Sequence, residues 1–407
     1  MRFEAKGPVL STDSTAGTLR PGGGRDLPAL KREVLERVGR GGPPLGGISL
    51  QDARDALARI DSLDRDAWAS AWSGVGERYE DEAQSLASAD DARAARAWWN
   101  AWRLHHFARW PTENAAAKRH AKERALKAFR SYAQLVDPAI EAVRIPFEGR
   151  EVAGYLRLPQ GTRPAPLVFA IAGLDSRKED IAGHSDAYLK RNIGVFAIDL
   201  PGTGESPIAP ATPQSDRLFS AALDHLVRRP DVDASRIVVQ GRSWSGYWAA
   251  KLAVTERERL RGSIVHGGPI HGYFQPEWLT ASLRTGEYLY DYLEAKCAMF
   301  GVSDLESLIE CAGAFSLLDS GLLDAASAPM LVVNGARDSQ IPIADLFLLL
   351  QHGDAKDAWV NPRGGHMGRS KEWTPNAIAE RVLFPWIERR FTIHLLPATP
   401  PSSRSTA

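Results

Sequence analysis

The chain has 407 residues, 44% hydrophobic and 25% charged, and its fifty basic and fifty acidic residues cancel to a formal net charge of zero. That length suits one large domain with a smaller one, and the composition excludes a disordered chain. With no field of one sign, neither a nucleic-acid backbone nor an anionic membrane is an expected partner. Two cysteines, Cys297 and Cys311, exclude a disulfide framework and a four-thiolate metal site, and read as small hydrophobes. The first residues hold no continuous apolar stretch, and no later run reaches the roughly 20 apolar residues of a bilayer span. A cytoplasmic, two-part enzyme acting on a small molecule is the starting expectation.

Residues 1–27 carry Pro21-Gly22-Gly23-Gly24 and read as a flexible arm. Residues 28–137 are poor in β-branched side chains and rich in Ala, Leu, Glu and Arg, which predicts a helical N-terminal domain. Ser49 with Asp52 three residues on resembles a capping box opening a helix through Ile60. The segment 91–110 concentrates Trp98, Trp99, Trp102, His105, His106, Phe107 and Trp110. Trp98, Trp102 and His105 fall on one helical face, with Trp99, His106 and Trp110 on a neighbouring one. That face is either packing between domains or an aromatic wall, with Trp102 and His105 stacking a planar substrate. The adjacent His105 and His106 diverge on a helix and lack a completing carboxylate, so no metal site is expected.

At Asp137-Pro138 the texture changes, and residues 138–396 alternate short β-branched runs with helical segments. Strands are predicted at 141–147, 151–158, 166–172, 194–199, 236–240, 262–266, 329–334 and 357–361. Helices are predicted at 178–191, 214–228, 245–255, 343–351 and 375–390, the last opened by Thr374 and Pro375. This is the pattern of a mostly parallel sheet covered by helices on both faces. The long gap after strand 262–266 predicts a helical insertion at about 269–326, and the Pro/Ser/Thr-rich 397–407 a disordered tail.

The strongest chemical signal is an apolar strand running into Gly241-Arg242-Ser243-Trp244-Ser245-Gly246, with an Ala-rich helix behind it. A serine on a strand-to-helix turn needs a strained backbone and small neighbours, and the helix aims its positive end at developing negative charge. Gly241 supplies one small neighbour, and Ser245 stands where a second glycine is usual. Asp338 ends the strand Met330-Leu-Val-Val-Asn-Gly, where ligands bind in open α/β sheets. His366 sits in Gly364-Gly-His-Met-Gly368, between the last strand and the final helix. Each alone is a turn residue; jointly, in the order Ser, Asp, His at three strand ends, they match a nucleophile, an orienting acid and a base.

These motifs resemble the α/β-hydrolase superfamily over about residues 141–391. Asp199-Leu-Pro-Gly-Thr-Gly-Glu-Ser206 looks like the superfamily's turn after strand four. Ala172-Gly-Leu-Asp-Ser176, with Glu179 as a capping partner of Ser176, resembles its oxyanion loop, which implies the backbone N–H groups of Leu174 and Trp244 as the hole. The helical N-terminal domain, the Gly173-Leu-Asp-Ser-Arg-Lys-Glu179 loop and the Gly-Arg-Ser-x-x-Gly-Tyr elbow further resemble the FrsA-like esterase group, whose members include 2,6-dihydroxypseudooxynicotine hydrolase and fungal polyketide-shortening hydrolases. That resemblance implies hydrolysis of a carbon–carbon bond next to a carbonyl through an acyl-enzyme, without cofactor or metal. By resemblance alone it also implies a homodimer. An esterase or thioesterase with the same triad is the first rival; a non-catalytic binding module is a second, which the complete triad opposes. A helical N-terminus without propeller repeats opposes a peptidase of the prolyl-oligopeptidase type. In the insertion, His271, Tyr273, Glu277 and Trp278 follow a strand end on the nucleophile's side and are candidate substrate contacts, a solvated position being the other reading of Glu277.

Overall fold

The computed structural model describes residues 17–86, 90–161 and 163–392. Five helices come first: α1 (Leu27–Gly39), α2 (Leu50–Leu57), α3 (Arg65–Leu86), α4 (Asp91–Arg109) and α5 (Ala116–Leu135). Ser49 caps α2 as expected, its Oγ accepting the Asp52 N–H at 3.0 Å, but the helix stops at Leu57 rather than Ile60. Residues 17–26 correct the expectation of a loose arm. Leu19 is buried and its N–H reaches the Leu63 carbonyl at 2.6 Å, while Gly22 N–H bonds Leu289 at 3.0 Å. The glycines permit this tight course rather than freedom. The remaining residues of the arm, and the tail 397–407, lie outside the described residues.

The sheet has eight strands: β1 (Glu141–Phe147), β2 (Arg150–Arg157), β3 (Ala165–Ile171), β4 (Gly194–Ile198), β5 (Val232–Arg242), β6 (Gly262–His266), β7 (Met330–Gly335) and β8 (Asp357–Asn361). Their order is β1-β2-β4-β3-β5-β6-β7-β8, antiparallel at β1/β2 and β2/β4 and parallel from β4 to β8. β3 is apolar throughout because both faces are covered. Leu167, Phe169 and Ile171 join the larger apolar cluster, while Val168 and Ala170 join a second one with Phe384, Trp386 and Ile387. The eight predicted strands are recovered, β5 starting four residues earlier than expected.

Between strands lie α6 (Lys178–Gly183) and α7 (Asp186–Leu189), then α8 (Arg217–Leu226) and α9 (Gly246–Thr255). The single helix expected at 178–191 is thus two. Ser185 donates to the Ala182 carbonyl at 2.6 Å and turns the chain there, and a Cβ on Gly183 would strike the Trp99 ring of α4. The insertion after β6 contains α10 (Pro276–Ser282), α11 (Tyr292–Phe300) and α12 (Leu305–Ala312); α13 (Ile343–Gln351), α14 (Pro375–Ile378) and α15 (Phe384–Thr392) complete the chain. A π-helical turn at Ala379–Leu383 interrupts the helix expected at 375–390, whose N-cap Thr374 is as predicted.

Candidate active site

β5 delivers Ser243 on a turn with φ of 55°, and α9 begins three residues later. A side chain on Gly241 would overlap the Ser245 carbonyl, and one on Gly246 would overlap Gly268, so both glycines are dictated by close backbone approach. Ser245 is more than a tolerated small residue. Its buried Oγ accepts the Arg242 N–H at 2.7 Å and lies 2.8 Å from the Ile171 carbonyl, tying the elbow to the end of β3. Ser245→Ala strands both partners in the core, and should cost about 1–3 kcal/mol in denaturant unfolding while a fluorophosphonate still labels Ser243. Unchanged stability would remove that anchoring role.

Asp338, beyond β7, and His366, beyond β8, converge on Ser243. His366 Nδ1 is 2.8 Å from Asp338 Oδ2, and its Nε2 is 2.8 Å from Ser243 Oγ. A carboxylate only accepts, so the Nδ1 proton faces Asp338 and Nε2 is left to accept the serine proton. Burial opposes charge on Asp338, but His366 and the N–H groups of Ile341 and Gln340, 3.1 and 2.8 Å from Oδ1, outweigh it and hold the carboxyl below its ordinary range.

The histidine loop has its own supports. Asn334 Oδ1 accepts the Met367 N–H at 3.0 Å, and His266 Nε2 donates to the Met367 carbonyl at 2.9 Å, fixing Met367 at φ 59°. Asn361 Nδ2 donates to Gly368 at 2.8 Å. Burial pushes His266 down to about 3, so it stays neutral and keeps one tautomer. Sequence reasoning saw His266 as a strand-end residue but had no signal for this role or for those of Asn334 and Asn361.

The loop after β3 reaches the elbow at Gly173, where an added Cβ would lie 3.7 Å from the Ser243 Cβ. Its capping differs from expectation. Ser176 Oγ accepts the Gly173 N–H at 2.8 Å, and Asp180, not Glu179, accepts the Arg177 N–H at 2.8 Å. Glu179 turns inward to Lys178 Nζ at 2.8 Å, because Lys178 is buried and also needs Asp199 at 2.9 Å.

The predicted substrate contacts separate. Trp102 stacks on Trp99 at 4.4 Å and packs with Phe129 and Ala182, inside the contact between the helical domain and the sheet. His105 is fully buried with Nε2 2.9 Å from Glu80 and Nδ1 3.3 Å from Ser73, so its polar atoms serve α3. Both positions correct the reading of an aromatic wall at these residues. The helical domain instead touches the loop after β3 at the end of α4: Arg109 donates to the Asp175 carbonyl at 3.0 Å, and Trp110 Nε1 donates to Asp175 Oδ2 at 3.1 Å.

In the insertion, Asp345 accepts the N–H groups of Ile270, Gly272 and Tyr273 at 2.8, 2.6 and 3.2 Å, which seats Tyr273 behind the elbow. Trp278 Nε1 donates at 2.8 Å to the carbonyl of Gln340, two residues past Asp338. His271 Nδ1 is 2.8 Å from Ser316 Oγ and half-buried, and Glu277 is exposed, its solvated reading. Trp110, Tyr288 and Tyr292 form a stack of flat rings at 5.2 and 4.1 Å that the sequence did not single out. Burial pushes both phenols up, with the Asp175 carboxylate adding to it at Tyr288 and the neighbouring Tyr273 and Tyr288 adding to it at Tyr292. Among the described residues, no group of three or more His, Cys, Asp or Glu could hold a metal ion, and no helix is long and apolar enough to cross a membrane.

Comparison with known proteins agrees with this architecture. Esterase FrsA of Vibrio cholerae serotype O1 is 30% identical over 301 residues, 71% of this chain and 70% of its own length. Esterase FrsA of Vibrio vulnificus is 28% identical over 287 residues, 68% of this chain and 66% of its own. Among solved structures, 2,6-dihydroxy-pseudo-oxynicotine hydrolase superposes with a TM-score of 0.70 at 22% identity, covering 89% of this chain and 95% of that one. AbyA5 superposes with a TM-score of 0.67 at 23% identity, covering 84% and 89%. The fold is therefore that of the α/β-hydrolases, carrying a helical N-terminal domain. A family model for FrsA-like esterases matches residues 55–362, well over half of the chain, and the chain belongs to that family of hydrolases.

Proposed function

We propose that the chain hydrolyses an acyl bond through an acyl-enzyme on Ser243, a reading carried by the Asp338–His366–Ser243 hydrogen-bond chain on a strained elbow. Ser243 attacks the carbonyl carbon while its proton passes to His366 Nε2, and Asp338 stabilises the imidazolium that forms. The N–H groups of Leu174 and Trp244 hold the oxyanion; each such donor typically contributes roughly 3 kcal/mol to the transition state. His366 then protonates the leaving group, and water, deprotonated by the same ring, releases the acid. These steps call for no cofactor or metal.

For the bond broken, the reading is a carbon–carbon bond next to a carbonyl, in an acyl-aromatic ketone or β-diketone. There the leaving group is a carbanion, delocalised into a ring or enol and protonated at carbon by His366. The flat Trp110–Tyr288–Tyr292 stack, whose Trp110 bonds Asp175, supports a planar substrate of this kind. The second reading is a carboxylic ester, favoured by the Vibrio esterases to which the chain is similar. Rates on hydroxyphenyl ketones and β-diketones, measured beside p-nitrophenyl esters and acyl-coenzyme A thioesters, separate the two. The ketones are expected to match or exceed the esters in kcat/KM; esters ahead of every ketone by about a hundredfold, some 2.7 kcal/mol in the barrier, would establish the second reading.

A further inference from the structure

Among the described residues three lysines are buried essentially completely: Lys118, Lys178 and Lys296. Lys118 Nζ meets Asp291 at 2.9 Å, and Lys178 Nζ meets Asp199, Glu179 and Glu205 at 2.8–2.9 Å. Lys296, on α11 of the insertion, has no such partner. Its Nζ donates to Ser282 Oγ at 2.9 Å, and that hydroxyl is itself committed to the Leu279 carbonyl at 3.0 Å. Otherwise it faces the rings of Tyr292 and Tyr273, 4.2 and 5.0 Å from their centroids.

An ammonium carries three donors, and one hydrogen bond with two ring faces leaves a buried charge poorly compensated. Burial accordingly lowers Lys296 to about 7. Two neighbours share its deficit. The Tyr273 hydroxyl and the Trp244 indole N–H are buried, within reach of each other and of Tyr292, yet neither completes a hydrogen bond of good geometry. Trp244 immediately follows Ser243, and the hydroxyl of Tyr273 senses both Trp244 and Tyr292. Lys296, Tyr273 and Trp244, the last adjoining Ser243 in the chain, are thus incompletely satisfied; an acceptor oxygen would complete them, and an anionic one pairs the lysine as well.

We propose that Lys296, the Tyr273 hydroxyl and the Trp244 indole N–H form a subsite for an anionic oxygen of the substrate, a carboxylate or an acidic phenol or enol. The subsite takes its place beside the reaction from the reading of Ser243 as nucleophile, but needs neither of the two readings of the bond broken.

Calorimetric binding to Ser243→Ala protein at pH 8, where turnover does not intrude, tests it with three probes: glutarate, 2,6-dihydroxyacetophenone and its uncharged 2,6-dimethoxy analogue. One or both of the first two should bind at least tenfold more tightly than the dimethoxy compound, and Lys296→Met should abolish that preference. The titratable groups around Lys296 are Tyr273, Tyr292 and Cys297, all held above their ordinary values by burial, so the lysine alone among them exchanges a proton between pH 6 and 9. A carboxylate should therefore draw protons from the buffer, seen by comparing buffers of different ionisation enthalpy. The phenol brings its own proton to the lysine, so it should bind without uptake and develop a phenolate absorbance band. These readouts identify the source, and they stand on intact Lys296 even where Lys296→Met fails to fold. Equal binding of all three probes, or anion binding with neither proton uptake nor a phenolate band, overturns the subsite. Esterase activity retained by Ser243→Ala would instead overturn the nucleophile and leave the binding result standing.

Discussion

Ser243→Ala protein should turn over substrate about 10⁴- to 10⁶-fold more slowly than the wild type, while unfolding within about 1 kcal/mol of it. The size of the effect follows from the geometry. The Ser243 hydroxyl has its hydrogen bond to His366 Nε2 at 2.8 Å and is half-buried, so its loss opens no core cavity. The φ of 55° is set by the flanking glycines and by Ser245, not by the Ser243 side chain, and alanine bears the same strain. A fluorophosphonate should add one equivalent of mass to the Ser243 peptide of the wild type and none to the variant. Labelling at Ser245, which is fully buried and doubly bonded, or undiminished turnover in Ser243→Ala, would refute the assignment.

The sheet and the placing of Ser243, Asp338 and His366 were legible because each rests on local chemistry. A strand buried on both faces, such as β3, must be an unbroken apolar run, and a serine at a strained elbow must have small neighbours. What stayed hidden depends on residues far apart in the chain. Periodicity on α4 placed Trp102 and His105 on one face, but a period does not say which neighbour that face meets; Glu80 and Phe129 claimed it, and the loop after β3 went to Arg109 and Trp110. The glycine-rich stretch after Thr18 looked loose because its partners, Leu63 and Leu289, lie distant in sequence. Lys296 and Asp291 carried no sequence signal at all. Their burial comes from contacts distant in sequence, for Asp291 with Arg65 and Lys118, and a charge in isolation gives no warning of it.

Asp291 carries the second large effect. It is buried, sits at φ 53° at the entrance to α11, and gathers groups from four segments. Arg65 of α3 donates through Nη2 and Nε at 3.0 and 3.1 Å, Lys118 of α5 at 2.9 Å, Asn114 at 3.2 Å, and the Arg20 backbone N–H at 3.2 Å. Burial alone would raise this carboxyl, but Lys118 and Arg65 outweigh it and hold it below its ordinary range. Asp291→Asn keeps the shape and tolerates the left-handed backbone, yet leaves Lys118 in the core without its counter-charge and takes from Arg65 one of two carboxylates, the other being Glu294 at 3.2 Å. Breaking a buried pair in this way costs about 3–5 kcal/mol, and urea unfolding should register it. The pH dependence then tells charge from shape. Lys118 already lies below its ordinary value, because burial prevails over Asp291, and removing the carboxylate depresses it further. A lysine whose folded value is depressed binds fewer protons folded than unfolded, so stability rises with pH between the two values. Asp291→Asn should therefore recover part of its loss relative to the wild type as the pH rises toward the ordinary lysine value of 10.5. A variant within 1 kcal/mol of the wild type at pH 7, or one whose deficit stays flat over that rise, would mean that Asp291 joins these segments by shape and not by charge.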